Sequence, residues 1–220
     1  RTERHEDRGL GTEGASVWST VWAVFRVRTF IMFAIVFALG GIVSRVIQFW
    51  LPRYYHDIFH ETIDWGQKDA SYFATVWIQV GTMAGLFCGG PSADWAAKRS
   101  IRGRISVQLI GLLAIVPSLW IIGSTTSIPW LAVAMFGYGY GLGLYQANLW
   151  TTTFEVIDPA ARATAVGLLN LSSGVLVLSW VDPVIGMLND AAVKRGETIF
   201  DTMLRCSSVI AAVSCLILIF

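Results

Sequence analysis

Arg45 is the residue in this sequence whose position most demands a chemical reason. It sits in "GIVSRVIQF", within an apolar stretch long enough to cross a bilayer, and Gln48 lies one helical turn further along the same face. An arginine at such depth is costly unless it faces a partner or a wet cavity. Its planar fork grips a carboxylate or phosphate through two parallel hydrogen bonds. Arg45 therefore reads as an anion-binding residue, against the plainer reading of a side chain that snorkels to the nearby interface. A second set lies in "YGYGLGLYQANLW". Tyr138 and Tyr145 are seven residues apart and share a helix face, and Gln146, Asn148 and Trp150 follow. These side chains suit either a cavity wall or hydrogen bonds between helices. Asn170, with Ser172 and Ser173, forms a smaller polar patch that fits packing or gating better than binding, although Asn170 stays among the substrate candidates. Asp182, just before Pro183, reads as an outer-gate residue or a solvated carboxylate.

Other charged groups cluster outside the apolar stretches. "GGPSADWAAKRSIRGR", Gly89–Arg104, places Asp94 at the end of one apolar run and a basic cluster directly behind it. Glu155 and Arg162 frame a later polar segment, where a salt bridge between them is expected. His56 and His60 are spaced i, i+4 with Asp57 and Glu61 beside them, a metal pair if helical. No third ligand is fixed by spacing, so a solvated loop is the expected state. Cys88, Cys206 and Cys215 are isolated in apolar surroundings, without zinc-type spacing. No serine–histidine–aspartate arrangement, phosphate-binding loop or dinucleotide fingerprint is present. The chemistry on offer is binding rather than catalysis, with no cofactor or metal. The net charge of +1 gives no reason to expect a nucleic-acid partner.

The elements that position these groups follow from composition. Hydrophobic residues make up 55% of the 220 and charged residues 14%, whereas a soluble domain carries about 25% charged residues. A spanning helix needs about 20 apolar residues. That length predicts six: Phe30–Leu51, Tyr72–Ala93, Ile105–Ile122, Ile128–Thr152, Ala163–Met187 and Thr202–Phe220. Polar connections are expected at Pro52–Ser71, Gly123–Ser127 and Leu188–Asp201 on one side. The N-terminal segment, Asp94–Arg104 and Thr153–Thr164 are expected on the other. Ten of the 16 Lys and Arg fall on the second side, which the positive-inside rule makes cytoplasmic. Small residues recur every four positions at Gly81, Gly85 and Gly89. Two overlapping stripes, Gly137/Gly141 and Gly139/Gly143, predict close helix–helix approach.

Gly90, Ala93, Asp94, Lys98 and Arg99 resemble the loop signature of the major facilitator superfamily, with Ser92, Trp95 and Ala97 departing from it. "FWLPRYY", Phe49–Tyr55, is similar to the outer end of the seventh helix in anion:cation symporters and related organic-anion permeases. "EVIDPAARATAVGLLN", Glu155–Asn170, is similar to the loop between the tenth and eleventh helices. The resemblance covers all six spans. It implies an all-α membrane protein, the C-terminal six-helix half of a twelve-helix transporter. Residues 1–28 would be the tail of the central cytoplasmic loop and 29–220 the bundle, its last helix truncated. It further implies alternating access, an absent N-terminal half as partner, coupling to a proton or sodium ion, and a plasma membrane, the inner membrane if bacterial. Asp94 would face a helix N-terminus in the other half. Lys98 and Arg99 would complete a cytoplasmic gate with Gly90, Glu155 and Arg162.

With Arg45, the expected solute is an organic anion such as a sugar acid or carboxylate. A neutral sugar is the runner-up, and a non-transporting sensor or a six-helix membrane enzyme are the alternatives in kind. The topology is checked by cysteines placed at Ser100 and Thr62 in a cysteine-free background. An impermeant reagent should label them from opposite sides, and labelling from the same side contradicts the assignment.

Overall fold

The computed structural model describes residues 17–63, 66–100, 102–194 and 200–219, which are helical with no strand among them. Helix α1 is Val17–Phe25 and α2 is Arg28–Arg45. A π-helical turn, Val46–Trp50, carries α2 into α3, Leu51–Ile63. Then follow α4, Gln67–Ala97, α5, Gly103–Ile122, and α6, Ile128–Val156. A 3-10 turn, Pro159–Ala161, leads into α7, Arg162–Asn170. A second π segment, Leu171–Val177, connects α7 to α8, Leu178–Val193, and α9 is Phe200–Ile219.

Five of these stretches are long and apolar enough to cross a membrane: Arg28–His56, Lys68–Ala97, Gly103–Ile122, Pro159–Ala191 and Thr202–Ile219. The expected span Ile128–Thr152 lies in α6, whose 29 residues are long enough to cross. Its glycines, tyrosines, Gln146 and Asn148 make it less apolar than the others. The lipid-facing surface is supplied by side chains such as Phe87, Leu113, Val133, Trp180 and Leu216, all exposed.

The connection expected at Pro52–Ser71 is largely helical instead. Leu51, Tyr54, Tyr55 and Phe59 are buried at helical spacing, and the Tyr55 ring packs edge-on to Phe73 of α4 at 6.3 Å. That apolar stripe outweighs the polar residues between them. Pro52 is tolerated because it follows the π turn, where the regular hydrogen-bond ladder is already interrupted. His56 and His60 thus lie on a helix rather than in a loop, although the His60 side chain falls outside the described set. Among the described residues no His, Cys, Asp and Glu cluster could hold a metal. Part of the segment assigned to the N-terminal tail is helical too. Val24 of α1 and Phe30 of α2 bury against Ile157, Ala161, Ala165 and Leu169.

Helix α6 occupies the middle of the bundle, and its glycines explain how. A Cβ on Gly139 or Gly143 would run into the backbone carbonyls of Ile78 and Thr82 in α4. Conversely, Gly81 and Gly85 abut the carbonyls of Phe136 and Tyr140. The other stripe turns toward α5. Gly137 meets Ser118 Oγ at 2.7 Å from its Cβ position, and Gly141 lies against Gly111. One helix therefore packs at backbone distance on two sides, each glycine stripe serving one neighbour.

Changing Gly85 to Ala places a methyl on backbone rather than on a movable side chain, at a cost of about 1–3 kcal/mol. It should lower the melting temperature in detergent. Gly167→Ala, with nothing within 4 Å of its Cβ, should leave it unchanged or raise it.

Candidate functional site

A mainly apolar cavity of about 210 Å³, carrying a few polar side chains, opens between α2 and α6, backed by α5 and α9. Helix α2 brings Phe37, Gly40, Gly41 and Ser44 to its wall, and the π turn adds Gln48. Tyr138, Tyr145 and Gln146 come from α6, Ser173 from the second π segment and Ser214 from α9. Tyr138 and Tyr145 are almost fully buried, as their seven-residue spacing on an inward face requires. Ser44 Oγ and Tyr138 Oη lie 3.5 Å apart. Among the described residues Tyr145 Oη finds no hydrogen-bond partner. A buried hydroxyl left unpaired costs free energy that a bound polar solute would recover.

A smaller recess adjoins this cavity and shares Gly41, Ser44, Gln48 and Ser173 with it, adding Arg45 and Phe49. There Arg45 is held by Asp182 of α8. Nε donates to both carboxylate oxygens, at 3.0 and 2.8 Å, and Nη2 closes a short ion pair with Oδ2. The Phe49 ring lies 3.5 Å beneath the guanidinium, and the Trp50 side chain also hydrogen-bonds the carboxylate. The pair answers the question posed by an intramembrane arginine, and it corrects the reading of Asp182 as merely solvated. Gly41 permits the close approach, since a Cβ there would press on Ser173 Oγ.

Gln48, Tyr138, Tyr145 and Gln146 thus line one cavity, and Arg45 lines the recess that shares Gln48 with it. Asn148 and Asn170 are placed elsewhere. Asn148 Nδ2 donates to the carbonyls of Gly89, at 3.2 Å, and Leu144, so its amide ties α6 to α4. Asn170 Nδ2 bonds the carbonyl of Val166 one turn back on its own helix, at 3.0 Å. Trp150 packs edge-on to Phe37 at 5.9 Å. Ser44, Ser173 and Ser214 line the cavity without having been singled out for it, because serines occur throughout spanning helices. Gln108 was also passed over. It is fully buried, donates to Thr152 Oγ1 at 3.2 Å and leaves its Oε1 without a partner among the described residues. A glutamine inside an apolar span, near its start, was the available signal.

At the opposite, basic end, the charges pair differently from expectation. The short turn between α4 and α5 sets Arg104 beside the last turn of α4. Its Nη2 lies 3.1 Å from Asp94 Oδ1, and its Nε lies 3.3 Å from Glu155 Oε1. Glu155 therefore pairs with Arg104 and not with Arg162, which donates to the Phe154 carbonyl at 2.9 Å. Asp94 remains two-thirds exposed. Arg99 stacks over the Trp95 ring at 3.8 Å, Lys98 caps α4, and nothing lies within 4 Å of a Cβ built on Gly90.

Apolar helices packed through glycine, with a cavity between them that carries a few polar side chains, define a multi-pass membrane protein with room for a small solute. The profile of the Major Facilitator Superfamily matches residues 1–179, and the chain belongs to that family of membrane transporters. A search among curated proteins found no match.

Tyr145→Phe removes the unpaired hydroxyl and keeps the ring. Thermal stability should hold or rise, while solute uptake by the transporter falls. A loss of stability would mean that the hydroxyl has a partner within the fold.

Proposed function

We propose that this chain forms one half of a twelve-helix secondary transporter that carries a small organic anion, such as a sugar acid or carboxylate, by alternating access. Transport would be coupled to a proton or another cation across the plasma membrane, and the N-terminal half would supply the facing wall of the cavity. The observation that carries the reading is Arg45. It is an intramembrane guanidinium in a recess that shares four lining residues with the main cavity, and it already presents its fork to a carboxylate. A substrate carboxylate would use the same chemistry, with Gln48, Tyr138, Tyr145 and Gln146 ordering the rest of the solute. At the basic end, Gly90, Asp94, Lys98, Arg99, Glu155 and Arg162 would form the cytoplasmic gate. Arg104 would anchor Asp94 and Glu155 within this half, leaving the exposed face of Asp94 to meet the other.

A second reading, a neutral hydroxylated solute such as a sugar, draws support from the main cavity itself. Its polar lining is hydroxyl and amide, without a charged side chain.

Arg45→Lys keeps the charge and loses the fork, so carboxylate affinity should fall about tenfold, on the scale of about 1.5–3 kcal/mol for a hydrogen bond to a charged group. Arg45→Gln should cost more and also destabilise the fold, because Asp182 is left unpaired. Adding Asp182→Asn to Arg45→Gln should restore stability and not affinity. Binding of gluconate, benzoate and glucose to these variants of the full-length protein decides between the readings. Equal binding of both carboxylates by all variants removes the anion reading.

A further inference from the structure

The Arg45–Asp182 pair raises a problem for any anion that enters the recess. Arg45 and Asp182 together carry no net charge. Asp182 occupies the two-toothed edge formed by Nε and Nη2, and the Phe49 ring covers one face of the guanidinium. An arriving carboxylate must displace Asp182 from that edge or crowd a second carboxylate onto the remaining one. Either way one negative charge is left uncompensated within the membrane, which is expensive. Taking up a proton removes the excess.

We propose that Asp182 and the anionic group of the substrate compete for Arg45, and that Asp182, once displaced, binds the proton that travels with the substrate. The step balances. The hydrogen bonds from the guanidinium to Asp182 break and equivalent bonds to the substrate carboxylate form. One proton moves from water to an Asp182 oxygen, so the site is neutral before and after. The Asp182 side chain is not sealed within the protein, being about one-third exposed (34%).

Among the described residues, Asp182 is left as the carboxylate that can take up a proton here. From α2 it faces Arg45, and from the first π turn the Trp50 side chain. The second π segment offers Ser172 and Ser173, neither ionisable. Across the apolar groove on the far side of α8, α9 presents Met203, Cys206, Ser207 and Ile210, of which only the Cys206 thiol titrates. On α8 itself Asp190 lies two turns away, and Lys194 follows the last residue of the helix. The inference rests on the anion reading above and adds to it a coupling site within this half.

The test uses the full-length protein in lipid vesicles, with benzoate and gluconate as probes and glucose as the neutral control. Infrared difference spectra of the wild type at constant pH should show a protonated-carboxyl band that grows when either carboxylate is added and not when glucose is added. The band should be missing in Asp182→Asn. With a pH dye trapped inside the vesicles, carboxylate entry should acidify the lumen for wild type and for Asp182→Glu. Asp182→Asn should bind the carboxylates at least about tenfold more tightly, since the competing partner is gone, and should exchange them across the membrane without moving protons. Carboxylates bound with no growth of the band, or carried with undiminished protons by Asp182→Asn, overturn the coupling site and leave the anion reading standing. Binding of glucose with both carboxylates ignored overturns the two together.

Discussion

Helix α6 can stand between α4 and α5 only because it gives up side chains on two of its faces. Between spanning helices there is no hydrophobic drive to association, so what holds them is contact at van der Waals distance and the few hydrogen bonds that such contact permits. Gly139 and Gly143 bring the α6 backbone onto α4, and Gly137 and Gly141 bring it onto α5. Once the backbones are that close, Asn148 can reach the carbonyl of Gly89 and Gln108 can reach Thr152. These hydrogen bonds reinforce the packing, although Gln108 Oε1 stays without a partner among the described residues. The face that remains carries Tyr138, Tyr145 and Gln146 to the cavity.

The cavity depends on a second device, the loosening of two helices. Gln48 lies in one π segment and Ser173 in the other, and Arg45 sits at the junction of α2 with the first. A π turn widens the helix and takes its backbone out of regular register, which is why such turns recur at functional sites. The second segment packs on α2, where Gly41 meets Ser173. Just beyond them the Arg45–Asp182 pair joins α2 to α8. Rigid packing around α6 and irregular helices opposite it give the site one fixed wall and one that can repack.

The ends of the bundle follow a different balance. Arg104 ties Asp94 to Glu155 at a solvent-exposed surface, where an ion pair contributes little stability, about 0–1 kcal/mol. Charges of that kind are better suited to setting orientation and to exchanging partners than to holding a fold. The burial of Val24 and Phe30 against the segment around Ile157 and Ala161 does more to hold this end together.

The sequence by itself determined the spanning helices and where they pack closely. Helix length and apolar content are local properties dictated by bilayer thickness, so the spans could be read directly. The glycine stripes announced close packing because a missing Cβ has the same effect in any helix. Arg45 declared itself by its cost. Tertiary structure decided the rest. Only three-dimensional contact sends one stripe of α6 to α4 and the other to α5. It also turns Asn148 into a tie between helices while leaving Tyr145 in the cavity. The helix over residues 51–63 was legible in the i, i+3, i+4, i+8 spacing of Leu51, Tyr54, Tyr55 and Phe59. Its polar residues read as a connection until α4, the next helix, gave that stripe something to bury against. The partners of charged groups were the least legible feature. Asp182 lies 137 positions from Arg45, and Glu155 chose Arg104 over the nearer Arg162. An ion pair is set by where the backbone delivers two side chains, and in a helical bundle packing makes that choice.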